Sequence, residues 1–165
     1  MKPMKLFSVI CCILLFSNCG SIKLMPVSLN QNSSLTGYQY VYITPTASVT
    51  SNTGSVYNGV GSMTSKNANP SAIIAGYMFK KGFSQLPTIN PELASQTLIV
   101  NYGESNRTAI WWGLLGYKIE ITLQFLSAET NEVVCTATAE GFGETEADDI
   151  RQAINRALNE IFAVK

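Results

Sequence analysis

The chain has 165 residues, eleven basic and eleven acidic, with only 13% charged side chains and no histidine. This length suits one domain. Balanced charge without a basic run denies nucleic-acid binding and a basic membrane patch their electrostatic footprint, and a serine or cysteine nucleophile would have no histidine base.

Lys2 and Lys5 precede an apolar run from Leu6 to Phe16, followed by Ser17, Asn18 and Cys19. A bilayer core needs roughly 20 residues, so this run is too short to span it. A basic start, a short apolar stretch and small or polar residues at its end make a secretory signal. With a cysteine at the cut site, the segment resembles a bacterial lipoprotein signal, in which the thiol takes a diacylglyceryl group and the cysteine becomes the acylated N-terminus. The common pattern places Leu three positions before the cysteine and small residues after it. Here those positions hold Phe16, Ser17 and Asn18, with Leu15 one place early. An ordinary signal cut nearby, with Cys19 incidental, is the alternative. The resemblance implies a signal peptide over 1–18, lipidation at Cys19 and a membrane partner through that anchor. Gly20 and Ser21 follow, and residues 20–25 contain no acid, which points to the periplasmic side of the outer membrane. Loss of Lys2 and Lys5 leaves nine basic against eleven acidic residues, a formal charge of −2. Cys11 and Cys12 leave with the signal, so Cys135 is the one thiol of the folded domain and has no intramolecular disulfide partner. Its strand-like surroundings, Val133 to Ala139, mark a buried core thiol.

Residues 19–36 read as a lipidated tether, and residues 37–165 as a single domain. Tyr38 to Thr44 alternates aromatic and β-branched residues, the pattern of a strand. Residues 46–69 are rich in Ser, Thr, Asn and Gly and predict a long polar loop, within which a hairpin at Thr53-Gly54 is the structured option. Gly59 and Gly61 lack the Lys-Ser/Thr of a phosphate loop. Asn69-Pro70 caps and opens a helix that Gly82 stops, with Lys80 and Lys81 in its last turn. Asn90-Pro91 repeats that logic for one short turn. Thr97 to Tyr102 is a second strand. Tyr117 to Phe125 alternates apolar and polar residues, as a strand with one wet face does. Val133 to Gly141 is its hairpin partner, and its small residues leave room for a helix. A last helix follows from Thr145. Glu146, Asp148 and Asp149 fill its first turn, and an apolar stripe runs from Ala147 to Phe162. The order β-α-β-β-β-α predicts an α+β domain, a mainly antiparallel sheet with two helices packed on one face.

Several segments together are similar to small uncharacterised Gram-negative lipoproteins with one α+β domain of unknown function. They are the lipoprotein signal, the aromatic strand ending in Thr44-Pro45, Asn69-Pro70-Ser71-Ala72 with its helix ending Lys80-Lys81-Gly82-Phe83, the strand at Leu98 to Gly103, the 117–141 hairpin and the Glu146 to Ile150 opening of the last helix. Cys135 stands where that family often has Trp. The resemblance implies an envelope location and no established activity.

The acids Glu144, Glu146, Asp148 and Asp149 lack Ca²⁺-loop spacing and are explained by the helix dipole, so no metal site or cofactor is expected. Paired carboxylates for glycoside hydrolysis would come from Glu92, Glu104, Glu120 or Glu140, and no sequence feature brings two together. Arg107 to Gly116 joins two strands yet carries Trp111, Trp112, Leu114 and Leu115. Those residues either fill the core or form a contact tip for an envelope protein or the bilayer interface. With adjacent residues pointing to opposite sides, one ring inward and one outward is expected. The reading is a lipid-anchored, non-enzymatic binding or scaffolding module. An envelope glycan or peptidoglycan hydrolase and an apolar small-ligand binder are the alternatives.

Overall fold

The computed structural model describes residues 22–57, 60–110 and 116–163. It shows an α+β domain with one seven-stranded mixed sheet, a separate two-stranded ribbon and two main helices. In chain order the elements are β1 (Ser28–Gln31), β2 (Tyr40–Ile43), β3 (Val49–Tyr57), β4 (Val60–Ala68), α1 (Pro70–Lys80), β5 (Ser84–Gln85), a 3-10 helix (Pro91–Gln96), β6 (Thr97–Glu104), β7 (Thr108–Ala109), β8 (Tyr117–Ser127), β9 (Val133–Phe142) and α2 (Glu146–Ala163). The strands run β1-β9-β8-β6-β2-β5 across the sheet, with β7 beside β8. Pairing is antiparallel except at β2, which lies parallel to both β5 and β6. The observed order is therefore longer than β-α-β-β-β-α.

Two expectations change. Residues 46–69 are not one loop. β3 and β4 pair in continuous register from Val49↔Ala68 to Tyr57↔Val60, so Thr53 and Gly54 lie within a strand and not at a turn. A two-stranded polar ribbon is marginal alone in water. Here its base is fastened to α2: Ala147 N–H donates to Ser51 Oγ at 3.2 Å, Lys66 Nζ pairs with Asp148 at 2.8 Å, and Arg151 Nη2 donates to the Asn67 carbonyl at 3.2 Å. The 19–36 segment is likewise not all tether, because β1 adds an edge strand to β9.

The helices form as their caps dictate. Asn69 Oδ1 accepts from Ala72 N at 3.2 Å, and Pro70 takes the first helical position, where its missing N–H costs nothing. Gly82 follows the helix at φ +91°, a left-handed conformation that glycine adopts without a Cβ clash. For α2, Thr145 and Asp148 exchange bonds: Asp148 N–H donates to Thr145 Oγ1 at 3.2 Å, and Thr145 Oγ1 donates to Asp148 Oδ2 at 2.9 Å. The stripe Ala147, Ile150, Ala153, Ile154, Ala157, Leu158 and Ile161 is buried against the sheet. It meets Leu98, Val100, Ile121, Leu123 and Phe125 in one core. α1 packs beside α2 and contributes Ile74 and Met78.

Small residues on β9 set how closely α2 approaches. A Cβ at Gly141 would lie 1.9 Å from the Asp149 carbonyl oxygen, and one at Gly143 2.6 Å from Asp148 Cβ. The sheet face away from the helices is mixed: Ile99 lies between Tyr42 and Leu126, and a polar row runs beside them. There Thr44 Oγ1 donates to Asn101 at 2.7 Å, Asn101 Nδ2 to Gln124 at 3.4 Å, and the Thr122 and Thr138 hydroxyls bond at 2.9 Å.

Candidate functional site

Cys19, Trp111 and Trp112, and with them the expected inward and outward Trp rings, lie outside the described residues. The chain enters the domain through a clasp at Met25. Its N–H donates to Glu140 Oε2 at 2.9 Å, and its carbonyl accepts from Arg156 Nη2 at 2.6 Å. Arg156 Nη1 also donates to the Glu140 carbonyl at 2.6 Å. Lys118 Nζ pairs with Glu140 Oε1 across the β8–β9 ladder. Burial alone would raise the Glu140 pKa, but the Lys118 hydrogen bond, the Met25 N–H and the Lys118 and Arg156 charges hold it below the ordinary value.

The segment bearing the Trp pair leaves from the same sheet end. β7 pairs with the start of β8, Thr108↔Lys118 and Ala109↔Tyr117, and Ile110 N–H donates to the Gly116 carbonyl at 2.9 Å. β7 and the start of β8 thus form a stem that includes Lys118, the clasp residue. Met25 and Tyr117, 62% and 43% exposed, are large apolar side chains presented at this end.

Arg107 ties the stem to α2. Its guanidinium lies over the Tyr117 ring, 4.9 Å from the centroid, and donates from Nε and Nη2 to Asp149 Oδ2 at 3.2 and 2.7 Å. Asp149 is fully buried, and its other oxygen accepts from Gly143 N–H. Burial pushes the Asp149 pKa up, against the opposing pull of Arg107 and the Gly143 bond. The sequence places Asp149 among the acids of the helix's first turn and does not mark it as buried. The signal missed was its position four residues before Ala153, on the apolar side of the helix. Three of the four acids serve as fasteners: Asp148 and Glu144 meet Lys66, at 2.8 and 3.4 Å, and Asp149 meets Arg107.

Among the candidate carboxylates, the sheet brings Glu120 and Glu140 directly opposite each other on β8 and β9. A glycosidase acid needs a raised pKa. Glu140 is shifted the other way and is already occupied by Lys118 and Met25. Glu104 accepts from the Tyr102 hydroxyl. Cys135 is 1% exposed, and burial pushes its thiol up to about 11, so it is protonated and shielded at neutral pH. Among the described residues no three His, Cys, Asp or Glu side chains converge as metal ligands.

No family model matches this chain, and no curated protein does. Its fold is similar to that of a PelC dodecamer from Paraburkholderia phytofirmans, with TM-score 0.51, 13% sequence identity, and coverage of 84% of this chain and 98% of that chain. At that identity the likeness is one of fold.

Proposed function

We propose that this chain is a lipid-anchored protein of the cell envelope, acylated at Cys19 and held at the periplasmic side of the outer membrane, whose domain is a non-enzymatic binding or scaffolding module. On this reading it belongs with the small Gram-negative lipoproteins of unknown function that it resembles. The β-α-β-β-β-α frame of that plan is extended here by β1, the β3–β4 ribbon and the short strands β5 and β7. The observation that carries the reading is the Met25 clasp. Met25 lies six residues after Cys19, a reach of about 20 Å at most. The clasp also lies beside the β7–β8 stem, between whose strands the sequence places Trp111 and Trp112. An acyl chain on Cys19 and an apolar hairpin would then face the same surface. Amphipathic Trp rings favour such an interface, and aromatic residues dominate contact hot spots.

The test is fractionation of cells expressing the wild type and Cys19→Ala. Each buried CH₂ of an acyl chain contributes about 0.8 kcal/mol, so two or more chains anchor firmly. Wild type in the outer-membrane pellet and Cys19→Ala in the soluble fraction is the expected result. Cys19→Ala protein remaining in the pellet would remove the anchor assignment. Crosslinking in intact cells then tests the scaffolding role, with Trp111→Ser/Trp112→Ser expected to lose the crosslinked partner without a lower melting temperature. Since the PelC structure of similar fold is a dodecamer, the crosslinked species to size first is a homo-oligomer.

A further inference from the structure

A groove of about 490 Å³ runs between α1 and α2, apart from the clasp and the β7–β8 stem. Ala72, Gly76 and Lys80 line it from α1, and Arg151 and Asn155 from α2. Lys80 lies eight residues beyond Ala72, at a rise of about 1.5 Å each, so the groove is elongated, on the order of 12 Å. No carboxylate lines it. The cations are the informative part. Lys66, Arg107 and Lys118 each meet an acid, whereas Lys80 and Arg151 have no carboxylate partner among the described residues. Arg151 makes one bond, to the Asn67 carbonyl, which leaves most of its five donors available. Lys80 and Arg151 sit at opposite ends of the groove, because Arg151 reaches back to Asn67, before α1 begins, while Lys80 is the last residue of α1. Between them, the Asn155 amide has no side-chain bond among the described residues. Gly76 keeps the middle open: a Cβ there would meet nothing within 4 Å.

A long, open groove, lined by Ile73 and Tyr77 as well as polar groups, with a cation at each end and an unengaged amide between, suits a linear, hydroxyl-rich anion whose rings also present C–H faces. It does not suit an apolar ligand, which binds in enclosed, mostly apolar pockets. We propose that this groove binds an acidic oligosaccharide, with Arg151 and Lys80 taking carboxylates of separate sugar units and Asn155 a hydroxyl between them. Arg supplies a planar fork matched to a carboxylate, and Lys a point charge. The proposal names a ligand class for the binding module proposed above. The two can fail separately, since one is read from membrane fractionation of Cys19→Ala and the other from ligand binding by the purified protein.

The experiment is isothermal titration of the full mature chain in detergent with a four-unit galacturonate oligomer. Uncharged maltotetraose, tetraglutamate and inorganic phosphate are titrated in parallel. Galacturonate is expected to bind and the other three not to. Arg151→Gln and Lys80→Gln should each weaken galacturonate about tenfold or more, the worth of one charge-assisted hydrogen bond. Lys23→Gln, outside the groove, should not weaken it. Gly76→Leu is the second arm, because it fills the groove while replacing a poor helix former with a good one. It should abolish binding with no fall in melting temperature. Absence of galacturonate binding overturns the proposal. So does equal binding of tetraglutamate or phosphate, or unchanged affinity in Gly76→Leu.

Discussion

Asp149 is a buried charge with one cationic partner, and its two members respond differently to removal. Arg107→Met strands a carboxylate with no route to water, which costs about 3–5 kcal/mol at neutral pH. Asp149→Asn keeps an acceptor for the Gly143 N–H, and it leaves Arg107, whose side chain is 29% exposed, free to turn to solvent. It should cost less, about 1–2 kcal/mol. The pH dependence has a definite sign. Because the folded pKa of Asp149 is raised, its contribution to stability is fully present below the ordinary value of about 3.9 and is lost as pH rises through the folded pKa. Without Arg107 the rise is larger. The stability deficit of Arg107→Met should therefore be greatest at neutral pH and close as the solution is acidified. A deficit constant with pH in denaturant titrations would place the loss in packing instead. Cys135 offers a simpler measurement. A protonated thiol under the helix layer should react with a thiol reagent only as fast as the domain opens, and rapidly once it is unfolded.

The elements legible in the sequence were those whose burial is written in a period. β8 alternates, α2 carries a continuous stripe, and both helices open on capping residues, so their bounds match expectation within a residue or two. The β3–β4 ribbon was not legible, because its strands are rich in Ser, Thr, Asn and Gly and are held by their own ladder and three contacts with α2. Tertiary fastening of that kind leaves no local pattern. The small residues of β9 were legible as space for a helix, but how little space remains emerges only from geometry. Gly141→Ala tests that spacing. Its Cβ would collide with the backbone carbonyl of Asp149 rather than with a flexible side chain, so relief requires α2 to move away from the sheet. Overpacking typically costs about 1–3 kcal/mol, and a rigid backbone obstacle puts this substitution at the upper end or beyond. A melting temperature within a degree or two of wild type would show that the helix shifts freely, contrary to the tight β9–α2 packing.

At the scale of the whole molecule, the clasp decides whether the N-terminal segment is part of the domain or a loose leash. β1 is only four residues long and lies at a sheet edge, so its own ladder with β9 holds it weakly. Edge segments of this kind open locally at low free-energy cost. The bonds from Arg156 and Glu140 to Met25 fasten the strand from its N-terminal side. Arg156→Met should therefore accelerate hydrogen exchange at the β1 amides while leaving those of central β8 unchanged. Unchanged β1 protection would mean that the clasp holds nothing. Acid should act on the same point. Since the folded pKa of Glu140 is lowered, its contribution is present above the ordinary carboxylate value of about 4.3 and is lost as pH falls through the folded pKa. Exchange of β1 should rise over that acid interval in the wild type. In Glu140→Gln it should already be fast at neutral pH, since the neutral amide no longer pairs with Lys118, and should change little on acidification. In acid, β1 and the segment before it would then be released together, while at neutral pH the clasp keeps both against the sheet.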